Sequence, residues 1–244
     1  MTRIIERNYQ RLPESAVHKL SQVSCATLTT VLGKLGYRRI FAKGVNPLTA
    51  GARLVGQALT LSYLPMREDF WPIPPEDMSE YPQRVAIESI EPGDVFVIDA
   101  RGNLEAGVLG DILAARVKAR GAAGVVVDGV VRDSPAIREL GMPCYSRGVH
   151  ASASMSELLA IAVNRPAQCG GVLVMPGDVV VGDEEGVVII PLAVAEQAAD
   201  QALDQERLEI WVRQRIEAGG STEDYYPPTE AALAEYRRWQ EGSE

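Results

Sequence analysis

The chain has 244 residues, 46% of them hydrophobic, which is long and apolar enough for one large or two small folded domains. Its 33 acidic and 24 basic residues give a net charge of −9, which disfavours the phosphate backbone of nucleic acid as a direct ligand. Residues 196–244 contain twelve acidic and five basic residues, so −7 of this charge lies in the last fifth of the chain.

No hydrophobic run reaches the roughly 18 residues of a membrane-spanning helix, and the first residues contain no signal-peptide hydrophobic segment. We therefore expect a cytoplasmic protein without a membrane partner. Cys25, Cys144 and Cys169 are odd in number and widely spaced, which predicts buried thiols rather than disulfides or a thiolate zinc site. With only His18 and His150 present, any metal should be a hard ion bound by oxygen. No lysine is a good candidate for a Schiff base.

The predicted elements begin with one or two helices over residues 14–36, where apolar residues recur at helical spacing and Gly36 ends the pattern. Residues 65–82 contain five prolines and predict a long ordered loop or lid. A crossover helix is predicted over 110–120, and a last helix from 192 to about 218. Short β-branched runs predict strands at 54–63, 95–99, 124–128, 172–175, 179–181 and 187–190. The last two strands should form a hairpin with a tight acidic turn.

Strand 95–99, the crossover helix and strand 124–128 form a predicted βαβ unit with parallel strands. The loops after parallel strands lie at one edge of the sheet, where α/β proteins bind ligands. We therefore expect Asp111, at the start of the helix, to converge with Arg132 and Asp133. The glycines at 107, 110 and 129 favour a close backbone approach to a ligand.

This arrangement suits a small 2-oxo acid. Its carboxylate would lie on the helix amides near Ile112 and Leu113, held by the planar guanidinium of Arg132. Asp133 would bind Mg²⁺ or Mn²⁺, with water-mediated contacts to Asp111. From spacing alone, the alternative is equally open: Arg132 and Asp133 would form an ion pair in a turn, and Asp111 would only cap its helix.

Four stretches carry a resemblance to a known family. They are Gly107-x-x-Gly110-Asp111, the run from Arg120 to Asp133 (RGAAGVVVDGVVRD), Cys169-Gly-Gly-Val and Pro176-Gly-Asp-Val-Val-Val-Gly-Asp. Together they resemble the RraA-like family, which includes the class II 4-hydroxy-4-methyl-2-oxoglutarate/4-carboxy-4-hydroxy-2-oxoadipate aldolases and the regulators of ribonuclease E activity. The resemblance covers roughly residues 20–220, and the pair Gly-Asp…Arg-Asp is its most specific part.

The resemblance implies an α/β fold: a swivelling β/β/α domain with N-terminal helices and a long C-terminal helix. Residues 1–244 would form this single domain, with 221–244 as a tail packed on the domain or on a neighbour. The family assembles as trimers, or as hexamers made of two trimers, with active sites between subunits. We expect the same here.

The resemblance also implies site roles. Arg132 would contact pyruvate, Asp133 would anchor magnesium, Asp111 would position water, and the amides after Gly110 and Asp111 would bind the pyruvate carboxylate. A glutamate from a neighbour's C-terminal helix would complete the site. Alignment of that helix gives Glu209, with Glu206 one turn away as the fallback. On a helical wheel Glu209 lies on one face with apolar residues, although an exposed position in an acidic helix is the simpler explanation.

The chain departs from the family in two places. Thr30 replaces an aspartate that the family usually has in its N-terminal helix, and the 65–82 loop is longer than in the compact aldolases. Both differences bear on which substrate the protein binds and not on the metal centre. His150 has two open interpretations, a functional residue or a structural hydrogen-bonding residue, of which the second is the more common.

These observations lead to one expected function. We expect a Mg²⁺- or Mn²⁺-dependent lyase that cleaves a 4-hydroxy-2-oxo acid by retro-aldol reaction to pyruvate and a second carbonyl compound, with oxaloacetate decarboxylation as a side activity. Asp111 or Glu209 would orient or deprotonate a water. The competing expectation is a non-catalytic regulator that binds ribonuclease E or an RNA helicase. A phosphohistidine carrier is disfavoured because no histidine begins a helix. The small residues of 195–202 suggest that the last helix packs closely against another subunit.

Overall fold

The computed structural model describes residues 5–70 and 78–241. The predicted loop 65–82 therefore lies partly outside the described residues. Its described ends are not one loop: a strand ends at Pro65, a short 3₁₀ helix covers Glu68–Phe70, and a helix begins at Pro82. Proline suits that position because the first turn of a helix needs no amide donor there.

Eight helices occur in the described ranges: α1 Glu14–Leu20, α2 Cys25–Lys34, α3 Pro82–Glu88, α4 Asp111–Ala119, α5 Ser134–Glu139, α6 Ala195–Glu217, α7 Thr222–Tyr225 and α8 Glu230–Glu241. The predicted helices at 14–36, 110–120 and 192–218 are confirmed. The first is two helices, and the last begins with a 3₁₀ turn over Leu192–Val194. Gly36 and Gly219 follow helix ends with positive φ angles of 92° and 97°, the left-handed conformation that glycine adopts without strain.

Ten strands are described: β1 Asn46–Pro47, β2 Leu54–Pro65, β3 Asp94–Gly107, β4 Gly124–Val131, β5 Cys144–Val149, β6 Leu158–Val163, β7 Ala167–Cys169, β8 Val172–Val174, β9 Val179–Asp183 and β10 Gly186–Ile190. All six predicted strands are confirmed, and β9 and β10 form the predicted antiparallel hairpin. Strands β1, β5, β6 and β7 had no counterpart in the prediction.

The main sheet has the order β1-β5-β4-β3-β2-β9-β10, with β6 also paired to β2. The two ends of this order, β1 and β10, approach each other, so that the sheet is nearly closed. Strands β2, β3, β4 and β5 are parallel to one another, as predicted for β3 and β4. Their carboxyl ends therefore lie at one edge of the sheet.

Buried side chains form clusters on both sides of this sheet. One cluster lies between the sheet and helices α3, α4 and α5, and includes Phe96, Ile98 and Val127. A second lies between α1, α2, α6 and the β9–β10 hairpin. The cysteines at 25, 144 and 169 are free and buried, as predicted. Burying this much apolar surface is the main force that holds the layers together.

The small residues at the start of α6 pack within their own chain. Ala195, Ala198, Ala199 and Ala202 are fully buried in the cluster that α6 forms with α1 and α2. The prediction that this stretch packs against another subunit is therefore wrong. Small side chains allow α6 to approach the two N-terminal helices closely, and that intrachain contact accounts for the composition.

The tail packs on the second half of α6. Trp211 of α6 is 1% exposed, and its ring lies 5.7 Å from that of Tyr225 and 5.4 Å from that of Tyr236. Such inclined aromatic pairs add to the stabilisation from buried area. Residues 221–241 are thus attached to their own chain. No helix in the described ranges is long and apolar enough to cross a bilayer.

Candidate active site at the carboxyl edge of the parallel strands

The candidate site lies where β3 and β4 end. Strand β4 ends at Val131 and is followed directly by Arg132 and Asp133. Strand β3 ends at Gly107, and α4 begins four residues later at Asp111. The Arg132 amide donates to the Leu109 carbonyl (2.9 Å), which ties the two loops together. The structure therefore brings the predicted Gly-Asp and Arg-Asp pairs to one place.

Two glycines allow these loops to touch. A Cβ on Gly107 would lie 2.8 Å from the Arg132 amide nitrogen, and a Cβ on Gly110 would lie 2.8 Å from Oδ2 of Asp133. Real Cβ atoms do not approach other atoms this closely. Both residues have ordinary φ angles, so the requirement for glycine here is steric and not conformational. Their part is to let the Arg132–Asp133 turn lie against the start of α4.

Arg132 and Asp133 form a half-exposed ion pair. Nε of Arg132 lies 3.0 Å from Oδ2 of Asp133, with side-chain exposures of 39% and 37%. The terminal guanidinium nitrogens make no hydrogen bond to a residue in the described ranges, and neither does Oδ1 of Asp133. Asp133 adopts a left-handed backbone conformation (φ 54°), which is strained for a residue with a side chain and is common at functional sites. The pair thus keeps two donors and one acceptor free toward solvent.

Asp111 is the first residue of α4, and Gly110 is its N-cap. The carboxylate of Asp111 accepts a hydrogen bond from the Ile112 amide at 2.8 Å. One of the two amides expected to bind a ligand is therefore occupied from within the chain. The Leu113 amide lies in the first helical turn, where amides have no acceptor inside the helix. The Ile112 side chain is 78% exposed beside the site.

The donor set fits a hard cation held by few protein ligands. No group of three or more His, Cys, Asp or Glu side chains in the described part of the chain is arranged to hold a metal. Oδ2 of Asp133 lies against Gly110 and pairs with Arg132, while Oδ1 of Asp133 accepts no hydrogen bond from a residue in the described ranges. Mg²⁺ commonly binds through one or two carboxylates and keeps several waters. Asp133 and Asp111 are the residues that could hold such an ion.

Glu209 lies apart from this cluster in its own chain. It is an exposed residue of α6, and its carboxylate accepts hydrogen bonds from Gln205 (2.8 Å) and from the Thr27 hydroxyl (3.4 Å). Glu206 is half-buried, and its Oε2 accepts both the amide (3.1 Å) and the hydroxyl (3.0 Å) of Ser24. Of the two candidates, Glu209 is therefore freer to reach another molecule.

A cavity of about 580 Å³ surrounds these glutamates. It lies between α6, α7 and the start of α2, and combines carboxylates with apolar surface. Thr30, which replaces the aspartate usual in the family, lies on the exposed side of α2, and its hydroxyl donates to the Ala26 carbonyl (3.3 Å). The Thr30 side chain is thus hydrogen-bonded to the backbone of its own helix.

Comparison with known proteins decides the family. The model of the RraA-like family, described as Aldolase/RraA, matches residues 24–189. The chain belongs to the RraA-like family. The α/β fold with N-terminal helices and a long C-terminal helix, expected from the resemblance, is confirmed by this match and by the solved structures.

One similar relative is a Halalkalibacterium halodurans protein provisionally named 4-hydroxy-4-methyl-2-oxoglutarate aldolase. The two are 40% identical over 117 residues, which make up 48% of this chain and 55% of that protein. The matches to two other curated relatives cover 28% and 62% of their lengths. The matched part of the chain thus covers less than two thirds of the length of each of these three relatives.

Two solved structures are similar over most of the chain. Streptomyces coelicolor RraAS2, described as an unusual member of the RNase ES inhibitor RraA family, is 39% identical with a TM-score of 0.75, covering 85% of this chain and 100% of that one. The RNA-processing inhibitor RraA from Thermus thermophilis is 28% identical with a TM-score of 0.50, covering 67% of this chain and 92% of that one. The family therefore contains proteins named for each of the two expected functions.

Proposed function

We propose that this RraA-like protein is a divalent-metal-dependent lyase. It cleaves a 4-hydroxy-2-oxo acid by retro-aldol reaction to pyruvate and a second carbonyl compound, and decarboxylates oxaloacetate as a side activity. The observation that carries the proposal is the contact of Gly110 with the Arg132–Asp133 pair at the edge of the sheet. The likeness to a protein provisionally named as an aldolase supports it.

Arg132 binds the 2-oxo acid end of the substrate. Its Nε is engaged by Asp133, so the two terminal nitrogens face the ligand as a planar pair of donors. A planar pair matches two oxygens of one carboxylate or 2-oxo acid, and charge-assisted hydrogen bonds of this kind are stronger than neutral ones. Lysine, with a single ammonium group, provides no such match.

The start of α4 binds the substrate carboxylate. The Leu113 amide donates to no residue in the described ranges, and the Ile112 amide would be released if the Asp111 carboxylate turned away. A carboxylate at the N-terminus of this nine-residue helix is also favoured by the helix dipole. Displacement of Asp111 by the substrate leaves its carboxylate available to accept a proton from a water near the C4 hydroxyl.

Asp133 is the proposed ligand of Mg²⁺ or Mn²⁺. When bound, the ion supplies the Lewis acidity that stabilises negative charge on the 2-oxo oxygen. Asp133 holds its place through the Arg132 ion pair and the Gly110 contact. Asp111 would contribute through metal-bound water, as the family resemblance implies for this position.

Glu209 is proposed to act in the site of a neighbouring subunit. Its exposure, its weak 3.4 Å bond to Thr27 and the cavity around it are what a carboxylate shared between subunits requires. Ile112 offers a matching apolar surface beside Arg132 and Asp133. We propose a homotrimer or a hexamer of two trimers as the assembly, since the resemblance implies active sites between subunits.

The second candidate function is regulation of a ribonuclease. The observation that favours it is the 39% identity with RraAS2, a structure described within an RNase inhibitor family. A pure binding protein has no need for the Gly110 contact or for a strained Asp133, and we therefore rank the lyase first.

The test is a substrate screen with a binding control. Purified protein is supplied with Mg²⁺ or Mn²⁺ and a panel of 4-hydroxy-2-oxo acids and 2-keto-3-deoxy sugar acids, and pyruvate release is measured. The same preparation is used in a pull-down with ribonuclease E. Pyruvate release from at least one acid supports the lyase. Binding of the ribonuclease without any turnover reverses the ranking.

A further inference from the structure

His150 lies beside Arg132 because of the path that the chain takes after β5. Strand β5 pairs with β4 up to Val149 and Val131, and the His150 amide then donates to the Val131 carbonyl at 2.9 Å. Arg132 is the next residue after Val131. His150 therefore directly follows the neighbouring strand, at the level where Arg132 leaves the sheet.

The chain after His150 crosses the end of β4. The Gly107 amide donates to the Ser152 carbonyl (2.9 Å), and Gly107 pairs with Ala153 in a parallel bridge. Strand β4 lies between β5 and β3, so a segment that begins beside β5 and reaches the end of β3 must pass over β4. Gly107 is also the residue that contacts the Arg132 backbone. The turn 150–152 thus forms one wall of the candidate site.

The imidazole of His150 has a defined orientation. The Ser152 amide donates to Nδ1 of His150 at 3.2 Å. A backbone amide can only donate, so Nδ1 carries no proton and the neutral ring carries its proton on Nε2. The residue is half-buried, and Nε2 donates to no residue in the described ranges. The neutral ring therefore has one N–H, on Nε2, that no residue in the described ranges accepts.

We propose that His150 binds the distal half of the substrate, with Nε2–H donating to an oxygen of a distal carboxylate. This rests on the proposed function. Three groups follow the ends of three neighbouring strands. The start of α4, after β3, would bind the proximal carboxylate. Arg132 and Asp133 follow β4, and His150 follows β5. Adjacent strands are about 4.8 Å apart, so His150 is on the far side of Arg132 from the β3 end. A charged acceptor gives this N–H its strongest hydrogen bond.

Two substitutions separate binding from a purely structural role. His150→Asn places a carbonyl oxygen where Nδ1 accepts the Ser152 amide, which preserves the turn, but it has no group at the Nε2 position. His150→Gln extends an amide N–H toward the Nε2 position and loses the Ser152 bond. If His150 only stabilises the turn, the Asn variant should behave as wild type. His18→Gln, in an exposed part of α1, is the matched control.

The probes are two non-cleavable acids of equal length, 2-oxoglutarate and 2-oxopentanoate, which differ by the distal carboxylate. Their dissociation constants, and that of pyruvate, are measured by calorimetry on the full chain with Mg²⁺. We expect 2-oxoglutarate to bind at least about tenfold more tightly than 2-oxopentanoate. In His150→Asn this preference should fall below about twofold while pyruvate affinity and melting temperature stay unchanged, and His150→Gln should retain part of the preference.

Nitrogen NMR on histidine-labelled protein gives a direct readout, because the chain has two histidines and His18→Gln assigns the signals. The Nε2 signal of His150 should move with 2-oxoglutarate more than with 2-oxopentanoate. An unchanged preference in His150→Asn, or an unmoved Nε2 signal, overturns the role of His150, even if pyruvate is released from 4-hydroxy-2-oxo acids. A His150-dependent preference without any pyruvate release would contradict the lyase alone. Failure of all three acids to bind would overturn both.

Discussion

Gly110→Ala is the substitution that tests the geometry of the site without removing a functional group. An alanine Cβ at this position would lie 2.8 Å from Oδ2 of Asp133, where ordinary contacts begin at 3.4 Å. Asp133 must therefore move by about 0.6 Å, the difference between these distances. Catalytic groups need to be held within about 0.5 Å of their productive positions, so this displacement is enough to impair the site.

The effect on stability should be small. Gly110 has a φ of −110°, which alanine adopts without strain. The atom that must move is the end of a side chain that is 37% exposed, so it can rotate into solvent. We expect the free energy of unfolding to change by less than about 1 kcal/mol. For pyruvate formation we expect kcat/KM to fall about 10-fold to 100-fold, since displacements of this order can cost that much.

Gly33→Ala is the matched control. Gly33 lies in α2, away from the candidate site, and a Cβ there would meet no atom within 4 Å. Replacement of a helical glycine by alanine should raise the free energy of unfolding by about 0.5 to 1 kcal/mol and leave activity unchanged. Urea unfolding and pyruvate release are measured for both variants. Wild-type kcat/KM in Gly110→Ala would show that the position of Asp133 against Gly110 does not matter for catalysis.

Arg132→Lys should lower kcat/KM about 100-fold or more, because the ammonium group cannot reproduce two parallel hydrogen bonds, with the free energy of unfolding unchanged within about 0.5 kcal/mol. Wild-type kinetics would mean that the arginine is structural. Asp133→Ala and Glu209→Ala should each be nearly inactive, and mixing them should recover activity after subunit exchange; no recovery after exchange verified by mass spectrometry would remove Glu209 from the site. Burial raises the pKa of Cys144 to about 12 and also raises the pKa values of the other two cysteines. These thiols stay protonated as pH rises from 7 to 9, so the native protein should not react with a thiol reagent there, whereas three thiols should react in denaturant. Rapid native labelling would contradict their burial.

The parts of the fold that were predictable are those in which local pattern and tertiary role agree. Strand β4 is a β-branched run that begins at a glycine and is buried along its whole length, and α4 has apolar residues at helical spacing before Gly121. Arg132, Asp133 and Asp111 could be placed together because two parallel strands end at one edge. That step needs only the topology of a βαβ unit.

Strand β5 was missed because its residues depend on partners elsewhere in the chain. Its sequence, Cys-Tyr-Ser-Arg-Gly-Val, contains a charged residue and a glycine, which is a weak strand pattern. Arg147 is tolerated there because its guanidinium pairs with the buried Asp128 of β4. The strand propensity of single residues does not include this contact between two strands, so it could not predict β5. The position of His150 follows from the same strand, so its place beside Arg132 could not be predicted either.

Strand β3 was predicted too short for a related reason. It continues beyond Asp99 through a polar stretch to Gly107, and its register with β4 shifts twice on the way. Residues in such bulges do not alternate between buried and exposed positions, so they give no strand pattern. The extension matters because it delivers Gly107 and Gly110 to Arg132 and Asp133.

The most direct test of the proposed mechanism is the metal dependence of pyruvate formation. Wild type and Asp133→Asn are treated with chelator, the chelator is removed, and pyruvate release from the best 4-hydroxy-2-oxo acid is followed while Mg²⁺ or Mn²⁺ is added back. We expect chelation to abolish the wild-type activity, the added ion to restore it, and Asp133→Asn to stay inactive at every metal concentration. Pyruvate release that survives chelation, or full restoration in Asp133→Asn, would contradict the account.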